Sequence, residues 1–152
     1  MRSAVPEFDA GGTFMGGGFF YATARDYARF GYLYLRDGIW GVERILPPGW
    51  VDYTRTPPRA PNNGVCGANF WLNRTPREGQ FKILPGGPES AFAATGNDGQ
   101  VILIVPTRDL IVVRLGEMQR TSWRAVNANL ADIVAAFPAA APPAPSGGES
   151  AE

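Results

Sequence analysis

Two apolar runs, Val101 to Val105 (VILIV) and Leu110 to Val113 (LIVV), are separated only by Pro106-Thr107-Arg108-Asp109. Their β-branched side chains suit a pleated strand and crowd a helix. So short a link permits a hairpin and forbids the long crossover of a parallel pair, so the runs form adjacent antiparallel strands. Neither run alternates apolar with polar residues. In a sheet this means that both faces are covered, and the rest of the chain has to supply two layers.

A third strand signal, Ser90 to Thr95, precedes them across the turn-forming Asn97-Asp98-Gly99. The expectation is an α+β fold around a three-stranded antiparallel meander at about 90–95, 100–105 and 110–115. One cover is the amphipathic segment 122–137, with Val126, Leu130, Ile133, Val134 and Phe137 on one side and Ser122 or Thr121 as N-cap. The other is the segment 23–37. There Thr23 and Asp26 make a capping-box-like start, Gly38 supplies the stop, and Phe30, Gly31, Leu33, Tyr34 and Leu35 ask for burial on more than one side. Arg25, Arg29 and Arg36 fall on one narrow stripe expected to be solvated.

Between these blocks, Leu46-Pro47-Pro48-Gly49-Trp50 predicts a proline-initiated short helix ending before Thr56-Pro57-Pro58. Asn62-Asn63-Gly64 predicts a turn, Asn69 to Asn73 a short strand, and Pro85-Gly86-Gly87-Pro88 a break. Residues 1–22 divide off as a Gly-rich loop, and 138–152, made of Pro, Ala, Gly, Ser and Glu, as a disordered tail. Two helices are little cover for a sheet apolar on both faces. Part of the fold is expected to lie outside this sequence.

The composition excludes several functions. Fourteen basic residues balance fourteen acidic ones, so no summed field draws nucleic acid or an anionic membrane. No apolar stretch is long enough to span a bilayer. With no His and a single Cys, Cys66, the chain cannot assemble a zinc site of nitrogen and sulfur ligands, a His-based triad or an internal disulfide. No metal or cofactor is implied. The glycines at 11, 12, 16, 17 and 18 lack the Lys-Ser/Thr of a phosphate loop. Asp26, Glu89, Asp98 and Asp109 sit where carboxylates serve turns and caps. Lys82 is the one lysine, and no serine has a Lys three residues on, so a Ser-x-x-Lys nucleophile is absent.

Three separated blocks resemble the β-lactamase-related serine hydrolases, the group of class C β-lactamases, D-aminopeptidases, family VIII esterases and 6-aminohexanoate-dimer hydrolases. They are GGGFFYATARDYARFGYLYLRDGIWGVERILPPGWV, FWLNR, and AFAATGNDGQVILIVPTRDLIVVRLG with the helix after it. The likeness covers about Asp9 to Phe137 and implies the C-terminal portion of a β-lactamase/transpeptidase-like fold in a soluble bacterial protein, cytoplasmic or periplasmic. It also implies an ester, amide or β-lactam substrate, attacked by a serine that this sequence lacks together with the Tyr-x-Asn base. Ala94-Thr95-Gly96 aligns with the family's Lys-Thr-Gly or His-Thr-Gly, so the cationic position is Ala. The resemblance makes the backbone N–H of Asn97 one half of an oxyanion hole, Thr95 and Gly96 part of the substrate cleft, and Gly17, Gly18 and Phe19 its facing wall. It implies as partner an N-terminal fragment or a second copy, held along the outer edge of the 110–115 strand.

Overall fold

The computed structural model describes residues 1–58, 64–74, 82–118 and 122–140. The chain opens with β1 (Val5–Pro6) and β2 (Phe20–Tyr21), then runs through α1 (Ala24–Leu35), β3 (Ile39–Trp40), β4 (Glu43–Arg44) and α2 (Trp50–Thr54). After these come β5 (Trp71–Leu72), β6 (Phe92–Thr95), β7 (Val101–Val105), β8 (Leu110–Arg114) and α3 (Trp123–Ala135). The central sheet is antiparallel in the order β5-β6-β7-β8. It therefore has four strands where the sequence predicts three. The fourth is the short strand expected over 69–73, here two residues long and joined to the outer edge of the predicted meander, with Trp71 exposed.

All five residues of β7 are buried, as the unbroken apolar run requires. Val101, Leu103 and Val105 join Ala91 and Ala93 against Val126, Leu130 and Val134 of α3. On the opposite face Ile104 and Phe92 join Val51, Phe70 and Leu72, with Phe30, Tyr34 and Leu35 of α1 packed against them. Burial of an aliphatic side chain of this size contributes about 1.5–3 kcal/mol. β7 is thus the strand on which both layers close. β8 differs: each of its five residues is half-buried, and it forms one edge of the sheet.

The helix expected over 23–37 runs from Ala24 to Leu35, with Asp26 and Gly31 fully buried, Phe30, Leu33, Tyr34 and Leu35 half-buried, and Arg25, Arg29 and Tyr32 exposed. Gly31 lets α1 lie directly on the sheet, since a Cβ there would stand 2.9 Å from Ile111 Cγ2 and 3.2 Å from Ile102 Cγ2. The stop uses Asp37 as well as Gly38. Asp37 is left-handed at φ 51°, and the Gly38 N–H donates to Leu33 O at 2.7 Å, closing a Schellman-type end. The arginine stripe is not simply solvated either: Arg29 pairs with Asp26, and Arg36 pairs with Asp109 in the β7–β8 turn.

Residues 1–22, expected as a loop, contain a two-stranded ribbon in which Val5 pairs with Tyr21 and Pro6 with Phe20. Asp9 ties its far turn by accepting from the N–H groups of Gly11 and Thr13. The predicted proline-initiated helix begins only at Trp50, after Gly49, and both prolines stay in the preceding turn. Of the strand expected over 69–73, only Trp71 and Leu72 pair. Ser122 occupies the cap position of α3 without a side-chain cap bond. Thr121, Asn62, Asn63 and the tail from residue 141 lie outside the described residues; Ala140 still reaches back to donate its N–H to Thr107 O. Among the described residues no helix is long and apolar enough to cross a membrane.

Candidate active site

The β6–β7 hairpin carries three of the residues singled out by sequence. Thr95 faces Val101, and the Gly96 N–H donates to Gln100 O at 2.9 Å, so Gly96 still belongs to the ladder. N–H groups along an antiparallel strand point alternately to its two sides. With Gly96 turned toward β7, the N–H groups of Thr95 and Asn97 turn toward the other edge, the side on which β5 lies. There β5 goes no further than the Trp71–Ala93 pair. Asn69, left-handed at φ 65°, has already turned the chain, and Gly67 and Phe70 close that turn with a 2.8 Å bond. Beyond Ala93 the outer edge of β6 is therefore open among the described residues. The Asn97 N–H finds no acceptor there.

The tip of this hairpin is held firmly. Asp98 and Gly99 are both left-handed, at φ 53° and 79°. Arg114 Nη1 donates to Gly99 O at 2.8 Å and to Gly116 O at 3.2 Å. Gln100 exchanges two bonds with Gly116, its Nε2 donating to the carbonyl at 3.1 Å and its Oε1 accepting from the N–H at 3.0 Å. Sequence reasoning missed Arg114 and Gln100, because their acceptors are backbone carbonyls that leave no mark in residue type. It could have found the open edge: Asn is tolerated in left-handed geometry, and Asn69 stands just before the aromatic run.

Gly17, Gly18 and Phe19 lie in the ribbon. Gly18 donates to Met15 O, and Phe19, left-handed at φ 55° and exposed, accepts from the Glu7 N–H. No hydrogen bond or ring contact joins this group to Thr95–Asn97 among the described residues. The ribbon is tied to α1 by the Tyr27 hydroxyl, which donates to Phe20 O, and the segment before it by Asp26, a carboxylate only 1% exposed at the start of α1. It accepts from Ser3 Oγ at 2.6 Å, from the N–H groups of Ser3 and Arg2 at 2.7 and 2.8 Å, and from Arg29. Thr23 donates its N–H to Ser3 Oγ, so the capping box is relayed through Ser3. The Ser3 hydroxyl and N–H, then Arg29, hold the Asp26 carboxyl well below the usual carboxylate range. Among the described residues no group of three His, Cys, Asp or Glu could hold a metal.

Two clefts flank the sheet near β5 and β6. One, of about 240 Å³, is lined by Val65, Trp71, Leu72, Ile83, Thr95 and Trp123. The other, of about 230 Å³, is polar and lies among Asp52, Arg55, Arg74, Glu89 and Ser90. Only the first includes an expected site residue, Thr95.

No protein-family model matches the sequence, and no curated protein matches it closely enough to count as a relative. Solved structures share its fold. A Bacillus anthracis protein assigned as a 6-aminohexanoate-dimer hydrolase superposes with a TM-score of 0.61 over 89% of this chain, at 19% identity. A Bacteroides dorei protein assigned as a β-lactamase superposes with a TM-score of 0.54 over 87% of the chain, at 15% identity. The fold is thus β-lactamase-related. The chain spans 35% and 47% of the length of these two proteins.

Proposed function

We propose that this chain is the C-terminal part of a β-lactamase-related serine hydrolase that cleaves an ester, amide or β-lactam carbonyl through an acyl-enzyme. The open edge of β6 carries the reading: among the described residues Asn97 presents an N–H without an acceptor where the strand outruns β5. In this reading the substrate carbonyl oxygen accepts from that N–H as attack turns it into an oxyanion. A preorganised donor of this kind lowers the barrier by about 3–4 kcal/mol. The nucleophilic serine, its lysine and the base come from polypeptide outside this sequence, because Lys82 is the chain's one lysine and no serine stands three residues before a lysine. Arg114 and Gln100 act as positioning residues, holding the tip that carries Asn97. Gly17, Gly18 and Phe19 form the facing wall of the cleft once the missing portion is in place.

A second reading has a distinct observation behind it. β8 is an edge strand whose five residues are half-buried, which suits a non-catalytic module that pairs through this edge with a separate fragment or with its own copy. One experiment separates the two. The chain is treated with a fluorophosphonate alone and in the presence of the polypeptide encoded immediately upstream. The hydrolase reading expects no label on the chain alone and a single labelled serine on the upstream polypeptide. Stoichiometric labelling of any serine in the chain alone overturns it, and complex formation without labelling favours the pairing module.

A further inference from the structure

The cleft beside Thr95 has a chemistry that the proposed function does not yet use. Alternation along β6 puts Ala91, Ala93 and Thr95 on the face covered by α3, and Trp71, paired with Ala93, stands on that same face. Trp123, in the first turn of α3, and Ile83 complete the lining with Val65 and Leu72. Apart from the Thr95 hydroxyl, every lining side chain is apolar or an indole. A cavity of about 150 Å³ with apolar walls takes up benzene, so a cleft of about 240 Å³ has room for a larger ring or a branched aliphatic group. Two indoles supply broad, rigid contact area for such a group at little cost in side-chain entropy.

The cleft is also correctly placed. Thr95 and Asn97 lie two residues apart on one strand edge, about 6.6 Å in extended backbone. A ligand whose carbonyl oxygen accepts from Asn97 therefore enters the cleft at Thr95 with a ring one or two atoms from that carbonyl, and a bicyclic ring extends on toward Trp71, which pairs with Ala93 two residues further along β6. We infer that the Trp71–Trp123 cleft is the apolar subsite of the proposed active site and takes the aromatic or branched aliphatic part of a neutral ester or amide. This rests on the reading of Asn97 as a carbonyl-oxygen donor. Among the described residues the ion pairs Arg29–Asp26, Arg36–Asp109 and Arg44–Asp37 and the charged side chains of the second cleft all lie outside this lining. Nothing in the lining of this cleft selects a charged group.

The test is a nuclear magnetic resonance titration of the full 152-residue chain with two amides, N-(2-naphthyl)acetamide and N-butylacetamide. Both are expected to shift the Asn97 amide resonance, and the naphthyl compound also the Trp71 and Trp123 indole resonances, with at least tenfold tighter binding. Trp71→Ala should remove that tenfold preference, and Trp71→Phe should keep most of it. Trp71 is 46% exposed, so core amide resonances should be unchanged in both variants. Equal affinities for the two amides, or no loss in Trp71→Ala, overturn the subsite and leave the Asn97 reading standing. If neither amide moves the Asn97 resonance, the Asn97 reading fails and the subsite assignment fails with it.

Discussion

The hairpin tip at 96–100 and the ribbon turn at 16–19 are both glycine-marked, and the resemblance assigns both to one cleft, yet they are built in opposite ways. At the tip, glycine is required. Gly99 sits at φ 79°, and a Cβ there would meet Met118 at 2.9 Å and Arg114 at 3.1 Å. In the ribbon, Gly17 and Gly18 have nothing within 4 Å of an added Cβ and are not left-handed. The first turn is shaped by packing from beyond β8, the second by backbone bonds within the ribbon itself. A glycine in a sequence signals either case alike. Only its surroundings decide whether the residue is needed or merely tolerated.

Three changes sharpen this contrast. The largest effect is expected for Gly99→Ala: a left-handed Ala costs about 1–2 kcal/mol, and displacing Met118 and Arg114 adds overpacking strain of about 1–3 kcal/mol. A combined loss of about 2–5 kcal/mol should appear as a lower urea midpoint with an unchanged slope. A loss below about 0.5 kcal/mol would show that the tip is no better packed than the ribbon.

The second effect is local to the surroundings of Asp26. The Asp26 carboxyl titrates below its unfolded value, so its contribution is complete above the unfolded carboxylate range near pH 4 and drains away as pH falls through the folded value. Acidification below about pH 4 should raise amide exchange at Arg2, Ser3 and Thr23 before it touches β7. Asp26→Asn, which trades an acceptor-only group for one bearing donors beside Ser3 and Arg29, should produce the same release at neutral pH. Unchanged exchange at Ser3 in that variant would mean that other contacts hold the segment before β1.

The smallest effect is expected for Gly17→Ala. With open space and ordinary backbone, it should leave stability unchanged or raise it by about 0.4–1 kcal/mol through the unfolded chain. A clear loss of thermal stability would reveal a neighbour that the ribbon's open surface does not show.

What was legible in the sequence follows the same division. VILIV announced the doubly covered β7, and Thr23 with Asp26 the start of α1, because periodicity and caps are local signals. The partner of Asp26 was not legible: Ser3 lies twenty-three residues away, and neither its hydroxyl nor its backbone N–H marks it in the sequence as a partner. The fourth strand was legible as a strand over 69–73, but not that only Trp71 and Leu72 of it would pair with β6. The open edge beside Asn97 depends on where β5 stops, a matter of one left-handed Asn69 rather than of any motif in the site itself. Thr95 and Asn97 were named from resemblance alone.

Helix α1, twelve residues and about 18 Å long, is fastened at three places. Asp26 grips the start of the chain at one end, Arg36 grips Asp109 at the other, and Gly31 seats the middle in a notch over Ile102 and Ile111. A rod so pinned can neither slide nor roll without lifting off the sheet. Its two ends and its middle are thus tied to three separate parts of the chain, the segment before β1, the β7–β8 turn and the sheet, so a change that displaces α1 is expected to loosen all three together.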